Sequence, residues 1–294
     1  MEKAIAMRQI NAELVKNTVM QLAQSANFIL RADVLRALRS ASRKETGRQA
    51  KKILGAIIEN ARIARADNLA ICQDTGLPVV FAEVGQNVHI TGGSLSRAIN
   101  QGINSGYRQG YLRNSIINDP LSRGKSGFIP AVIHTEIVPG KKLKLTVLPK
   151  GFGCENKSQV KMFNPTVSIS TIKEFIIKVV KEAGPDACPP FVVGVGIGGT
   201  QDYACLLAKR VLLRPVASRR PHASGGIRNA EYGIRELEDD LVRSINQLNI
   251  GPMGLGGRIT CLGVNIETYP THIAGLPVAV NISCHALRSA TKVI

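Results

Sequence analysis

Residues 8–65 place apolar side chains every three or four positions, as at Leu14, Val19, Met20 and Leu22 and again at Ile53, Ile57 and Ile58. That period lines one face of an α-helix, so several helices are predicted here. The pattern then changes. An Asp74-Thr75-Gly76 turn precedes the apolar run Val79-Val80-Phe81, which predicts a strand over about 79–84. Gly92-Gly93 breaks the chain before a predicted helix over about 95–108. AVIHTEIV at 131–138, Pro139-Gly140 and the alternating Lys142-Leu143-Lys144-Leu145-Thr146-Val147 predict a half-exposed hairpin. Farther on, helices are predicted over about 171–183, 201–213 and 229–248, strands over about 259–267 and 277–283, a buried strand running into a glycine turn over 191–200, and an exposed loop at 216–228. The whole reads as an α+β (mixed α/β) chain: a helical N-terminal part of about 1–70, then mixed strands and helices over about 71–294, in one domain spanning 1–294.

Composition narrows the classes. A chain of 294 residues with 44% hydrophobic and 20% charged residues can bury a core without staples. Aromatics make up only 4%, with no tryptophan, so bases would find few stacking platforms. The formal charge of +17 is spread through the sequence, which points away from a nucleic-acid footprint and toward an acidic partner subunit or an anionic substrate. No apolar run approaches the length of a membrane span or has the form of a secretion signal. A reducing cytoplasm is the expected location, and the six well-separated cysteines do not resemble a disulfide framework.

No C-x-x-C, H-x-x-x-H or H-E-x-x-H occurs. GVGIGGT at 194–200 departs from the dinucleotide fingerprint, and Arg219-Arg220 stand where an acid would be needed, so a tight turn before a helix is expected. The cysteines divide by context. Cys205 and Cys261 lie in apolar runs and read as core, and Cys154 sits in a Gly-rich turn. Cys72, Cys188 and Cys284 each stand where a strand meets a loop, beside a polar turn, Pro189-Pro190 and His285 respectively. Buried thiols and ligands converging from separate loops on one iron–sulfur cluster both fit that placement.

Six blocks carry a resemblance: CQDTG, GYLRNSI, PKGFGCENKS, CPPFVVGVGIGGT, GPMGLGG and YPTHIAGLPVAVNISCHALR. Together and in this order, over about residues 70–290, they resemble the α subunit of the class I, iron–sulfur fumarate hydratases. The α subunits of the L-tartrate dehydratases are the sibling group. The resemblance implies that Cys72, Cys188 and Cys284 hold a [4Fe–4S] cluster with one open iron. It implies reversible hydration of fumarate to L-malate, with L-tartrate dehydration as the alternative. A cluster-free binding protein on the same fold is a rival of another class.

Further roles follow from the same resemblance. Gln73, Asp74, Arg113 and the Gly153 backbone N–H are candidates to bind the dicarboxylate substrate. Asp74 and His272 are the candidates for catalysis, Asp74 as base or as the group that orients one, and His272 as a relay. A carboxylate in Asp-Thr-Gly also suits a turn cap, and Arg113 also suits a solvated loop. His285, Lys157 and Arg288 are placed near the cluster. Cys154, Met253 and Ile259 depart from the expected pattern of a serine and polar residues. A separate β subunit is implied, forming αβ or (αβ)2, with neither nucleic acid nor membrane as a partner.

Overall fold

A computed structural model describes residues 7–216 and 230–294. The front of the chain runs β1 (Arg8–Asn11), α1 (Ala12–Phe28), α2 (Ala32–Lys44) and α3 (Arg48–Asp67). Next come β2 (Leu77–Gly85), β3 (Val88–Thr91), α4 (Leu95–Gln109), β4 (Ile116–Ile117) and β5 (Ser126–Gly127). These are followed by β6 (Val132–Val138), β7 (Leu143–Lys150), α5 (Phe152–Glu155), β8 (Gln159–Phe163) and α6 (Ile169–Ala183). The remainder is β9 (Phe191–Gly198), α7 (Gln201–Arg210), α8 (Ala230–Asn246), β10 (Cys261–Tyr269), β11 (Leu276–Ser283) and β12 (Ala290–Val293). The class is α+β, as the pattern predicts. The expected loop at 216–228 falls almost wholly outside the described residues.

Contacts divide the chain into two compact units, one of residues 1–31, 61–152 and 288–294 and the other of 32–60 and 153–287. In the first unit four strands pair in the order β12-β7-β2-β6. β2 lies parallel to β6 and antiparallel to β7. The expected hairpin of β6 and β7 therefore does not form. β2 is apolar and buried along most of its length, so it takes the central place and a neighbour on each side. β7 is likewise buried rather than half-exposed, and the alternating lysine that suggested exposure, Lys144, is paired with Glu83 at 2.7 Å. α1 and α4 cover this sheet through Val15, Val19, Ile99 and Ile103, packed against Val80, Leu145 and Val147.

Glycine sets how closely those helices approach. A Cβ on Gly102 would stand 2.6 Å from the Lys16 carbonyl oxygen, and one on Gly106 would stand 2.8 Å from that of Met20. α1 itself starts at Asn11, whose side chain accepts the Glu13 N–H and satisfies one of the free donors of the first turn.

In the second unit the strand order is β10-β9-β11-β8. One face is covered by α6 and α8, where Ile176, Val180, Leu241 and Ile245 meet Val193, Val195, Ile266 and Val280. The other face carries α7, where Ala204 and Ala208 pack with Ala279. The glycines of GVGIGGT serve two purposes. A Cβ on Gly194 would stand 2.1 Å from the Ala208 carbonyl oxygen, and one on Gly196 would stand 2.1 Å from that of Ala204, so both admit α7. Gly198 and Gly199, at φ of 95° and 71°, form the turn. Among the described residues no helix is long and apolar enough to cross a membrane.

Candidate functional site

In the first unit the stretch Cys72–Gly76 forms a fixed loop ahead of β2. Asp74 is partly exposed, and its two carboxylate oxygens accept from the backbone N–H of Gly76 at 2.9 Å and of Phe152 at 2.8 Å. This is the turn-capping geometry, extended to a second chain segment. A Cβ on Gly151 would stand 3.2 Å from Asp74 Oδ2, so the close approach uses a glycine. Each oxygen keeps a further acceptor position beyond the one already engaged.

Two buried residues hold this loop in place. The Thr75 hydroxyl accepts the Arg113 N–H at 3.0 Å, which ties the Arg113 backbone to the loop. The Tyr107 hydroxyl donates to the Thr75 carbonyl at 2.9 Å. Burial pushes the Tyr107 phenol up to about 12. Arg288, also buried, donates to the Asp74 carbonyl, while its Nε finds no partner among the described residues. Cys72, Gln73, Asp74 and Arg113 thus share one corner of the unit, with Cys72 partly exposed and the Gln73 and Arg113 side chains open to solvent.

In the second unit Cys188 adopts the left-handed region at φ 54°, ψ 66°, an uncommon state for a residue with a Cβ. Three consecutive carbonyls of its loop are engaged. Ala187 O accepts from Cys154 Sγ at 3.2 Å, Cys188 O stands 3.0 Å from His285 Nδ1, and Pro189 O accepts the Met253 N–H at 2.8 Å. Donation to Cys188 O puts the His285 proton on Nδ1. Cys284 Sγ accepts the Ala286 N–H at 3.4 Å. Cys188 and Cys284 are both partly exposed, and the loops that carry them meet through His285.

Gly153 stands in the first turn of α5, where N–H groups lack partners inside the helix. His272 lies elsewhere in the unit, exposed on the loop between β10 and β11. Its Nδ1 accepts the Ala274 N–H at 3.1 Å, and no bond joins it to the other candidates. Lys157 pairs with Asp186 at 3.2 Å. Cys261 is core, where burial pushes its thiol up to about 12. Cys205 corrects the expectation, since it is exposed: α7 turns its alanines, not this cysteine, to the sheet.

All six cysteines are free thiols. Among the described residues no three or more His, Cys, Asp or Glu side chains form a group that could hold a metal ion. By chemistry the donors still suit an iron–sulfur cluster: three unoxidised thiols on loops, one receiving an N–H bond.

The sequence reading missed the parts played by Thr75, Tyr107 and Glu45. Glu45 is buried, and its carboxylate accepts the N–H groups of Thr46, Gly47, Arg258 and Ile259, which anchors the segment after GPMGLGG. Burial pushes this carboxyl up, but the four donors outweigh it and hold the group below the usual range. One signal was present: Glu45 is the lone acid in a run of cations, and it sits before Gly47, at a helix start.

A sequence model of the family described as fumarate hydratase (Fumerase) matches residues 16–293. A Methanocaldococcus jannaschii protein, provisionally named L(+)-tartrate dehydratase subunit alpha, is 38% identical over 285 residues, covering 95% of this chain and 96% of its own length. The L(+)-tartrate dehydratase subunit alpha of Escherichia coli K12 is 29% identical over 266 residues, covering 89% of this chain and 84% of its own.

Proposed function

The chain belongs to the fumarate hydratase (Fumerase) family, and from that premise we propose that it is the α subunit of an iron–sulfur hydro-lyase converting fumarate and water reversibly to L-malate, completed by a separate β subunit. The observation that carries this reading is the Cys72–Gly76 loop, which offers a thiol, an amide and a carboxylate in succession and holds the Arg113 backbone through Thr75. Cys72, Cys188 and Cys284 would hold the cluster, whose open iron supplies a Lewis acid for the departing hydroxyl.

The chain's own groups have three tasks. Arg113 pairs with one substrate carboxylate, which a guanidinium can grip through two N–H groups. Gln73 and the Gly153 N–H serve the other carboxylate. Asp74 takes the proton from the carbon beside a carboxylate during dehydration and returns it during hydration. The bonds from Gly76 and Phe152 aim its carboxylate, leaving room for that proton. His272, on its exposed loop, passes the proton to water.

A second reading has its own support. Relatives at 38% and 29% identity bear the name L(+)-tartrate dehydratase subunit alpha, so the substrate would be L-tartrate, dehydrated by the same acid–base steps. Anaerobic reconstitution of the α chain with its β partner tests both. Fumarate loss with malate formation, exceeding tartrate turnover, is the expected result. Preference for L-tartrate would transfer the assignment to the second reading, and turnover of neither would remove both.

A further inference from the structure

We infer that the outer face of α2 and the start of α3 form an electrostatic docking surface for an acidic protein partner, the β subunit of the assembly proposed above, on whose existence this inference rests. Arg36, Arg39, Arg43 and Lys44 on α2 and Arg48, Lys51 and Lys52 on α3 are all exposed, and all lie in the second unit. Among the described residues none of their side chains has an ion-pair partner. The only acid from residue 36 to residue 52 is Glu45, which is buried with its carboxylate given to backbone N–H groups. Several cations elsewhere are paired: Lys16, Lys144, Lys157, Lys173 and Lys209 each have a carboxylate partner.

Helix stability accounts for only part of this arrangement: Arg43 and Lys44 stand in the last turn of α2, where the helix dipole favours cations. Arg39 and Arg43 are four residues apart, as are Arg48 and Lys52, and like charges at that spacing repel across one turn. α3 has no acid in its first turn and instead begins with Arg48, where the helix dipole disfavours a cation. Arg36, Arg39 and Arg43 fall on one narrow stripe of α2. Unpaired guanidinium groups in a row match surface carboxylates through paired N–H donors, and an acidic face opposite them removes the repulsion. A protein fits this surface better than a nucleic acid, since no aromatic residue lies between Phe28 and Phe81 to stack on a base.

The test compares the wild-type chain with the triple variant Arg36→Glu, Arg39→Glu, Arg43→Glu, each titrated with the β subunit at several salt concentrations. A urea midpoint close to wild type confirms that the variant is folded. A variant bound at least about tenfold more weakly at low salt, with a flatter salt dependence, is the expected result. Equal affinity and equal salt dependence would overturn the docking surface while leaving an active pair, and so the proposed function, untouched. Absence of any wild-type association overturns it too, as does steep salt-dependent binding of duplex DNA that the variant alone loses while its affinity for β is unchanged. Turnover of the reconstituted wild-type pair is read in parallel, so failure of the function shows separately from failure of the surface.

Discussion

At the scale of single residues, three groups carry distinct expectations. Asp74 is engaged by two N–H donors and is assigned the proton transfer, so Asp74→Asn should cut turnover by about 10²–10⁴-fold. The same change costs about 1–3 kcal/mol, because an amide nitrogen cannot accept one of those N–H groups. Steady-state kinetics and a denaturant midpoint separate the two losses. Glu45 has its folded-state value held low, so its stabilising effect is complete above its unfolded value, near 4.5, and fades as pH falls through the folded one. Glu45→Gln should therefore weaken the protein at neutral pH, and the gap to wild type should shrink below about pH 4.5. Urea midpoints across acid pH check this, and a constant gap would contradict it. Tyr107 is shifted the other way. Its contribution is complete below its ordinary value of 10.0 and is lost as pH rises toward about 12, so wild type should lose more stability over that alkaline range than Tyr107→Phe.

At the scale of elements, glycines decide which helices can approach. α1 and α4 meet where Gly102 and Gly106 remove side chains, and a Cβ at Gly102 would enter the space of Lys16 O and Val19. Alanine normally favours a helix interior over glycine by about 1 kcal/mol. Here overpacking, about 1–3 kcal/mol, should win, so Gly102→Ala is expected to lower the thermal midpoint. A raised midpoint would show that α1 yields without strain. The strand glycines Gly194 and Gly196 follow the same logic against α7. Element types were readable because each rests on local periodicity, as for α6, β9 and β11. The short strands β1, β3, β8 and β12 were not predicted, since four or five residues hold too little pattern and depend on their partners for hydrogen bonds. The β6–β7 hairpin was misread for a related reason. Alternation reports which face is polar, not which strand lies alongside.

At the scale of the whole molecule, the proposed cluster needs ligands from segments far apart in sequence. Cys72→Ser should lose both bound iron and turnover after anaerobic reconstitution, against about four irons per wild-type chain. Iron analysis and the broad visible absorbance of the cluster provide the check. Iron retained in full by the variant would remove Cys72 from the ligand set.

By itself the sequence determined the α+β class, the placing of most long elements and the family, because hydrophobic period, turn residues and ordered motif blocks are local properties of the chain. It also set Cys72, Cys188 and Cys284 apart from Cys261 by their neighbours. Only the tertiary structure decided that β2 separates β6 from β7, that Cys205 faces solvent, and that Glu45 is buried under four N–H donors. It alone joined Asp74 to Phe152 and His285 to Cys188. Each of these depends on which remote backbone or surface comes to face a residue, and chain folding sets that pairing without leaving a mark in the residues on either side.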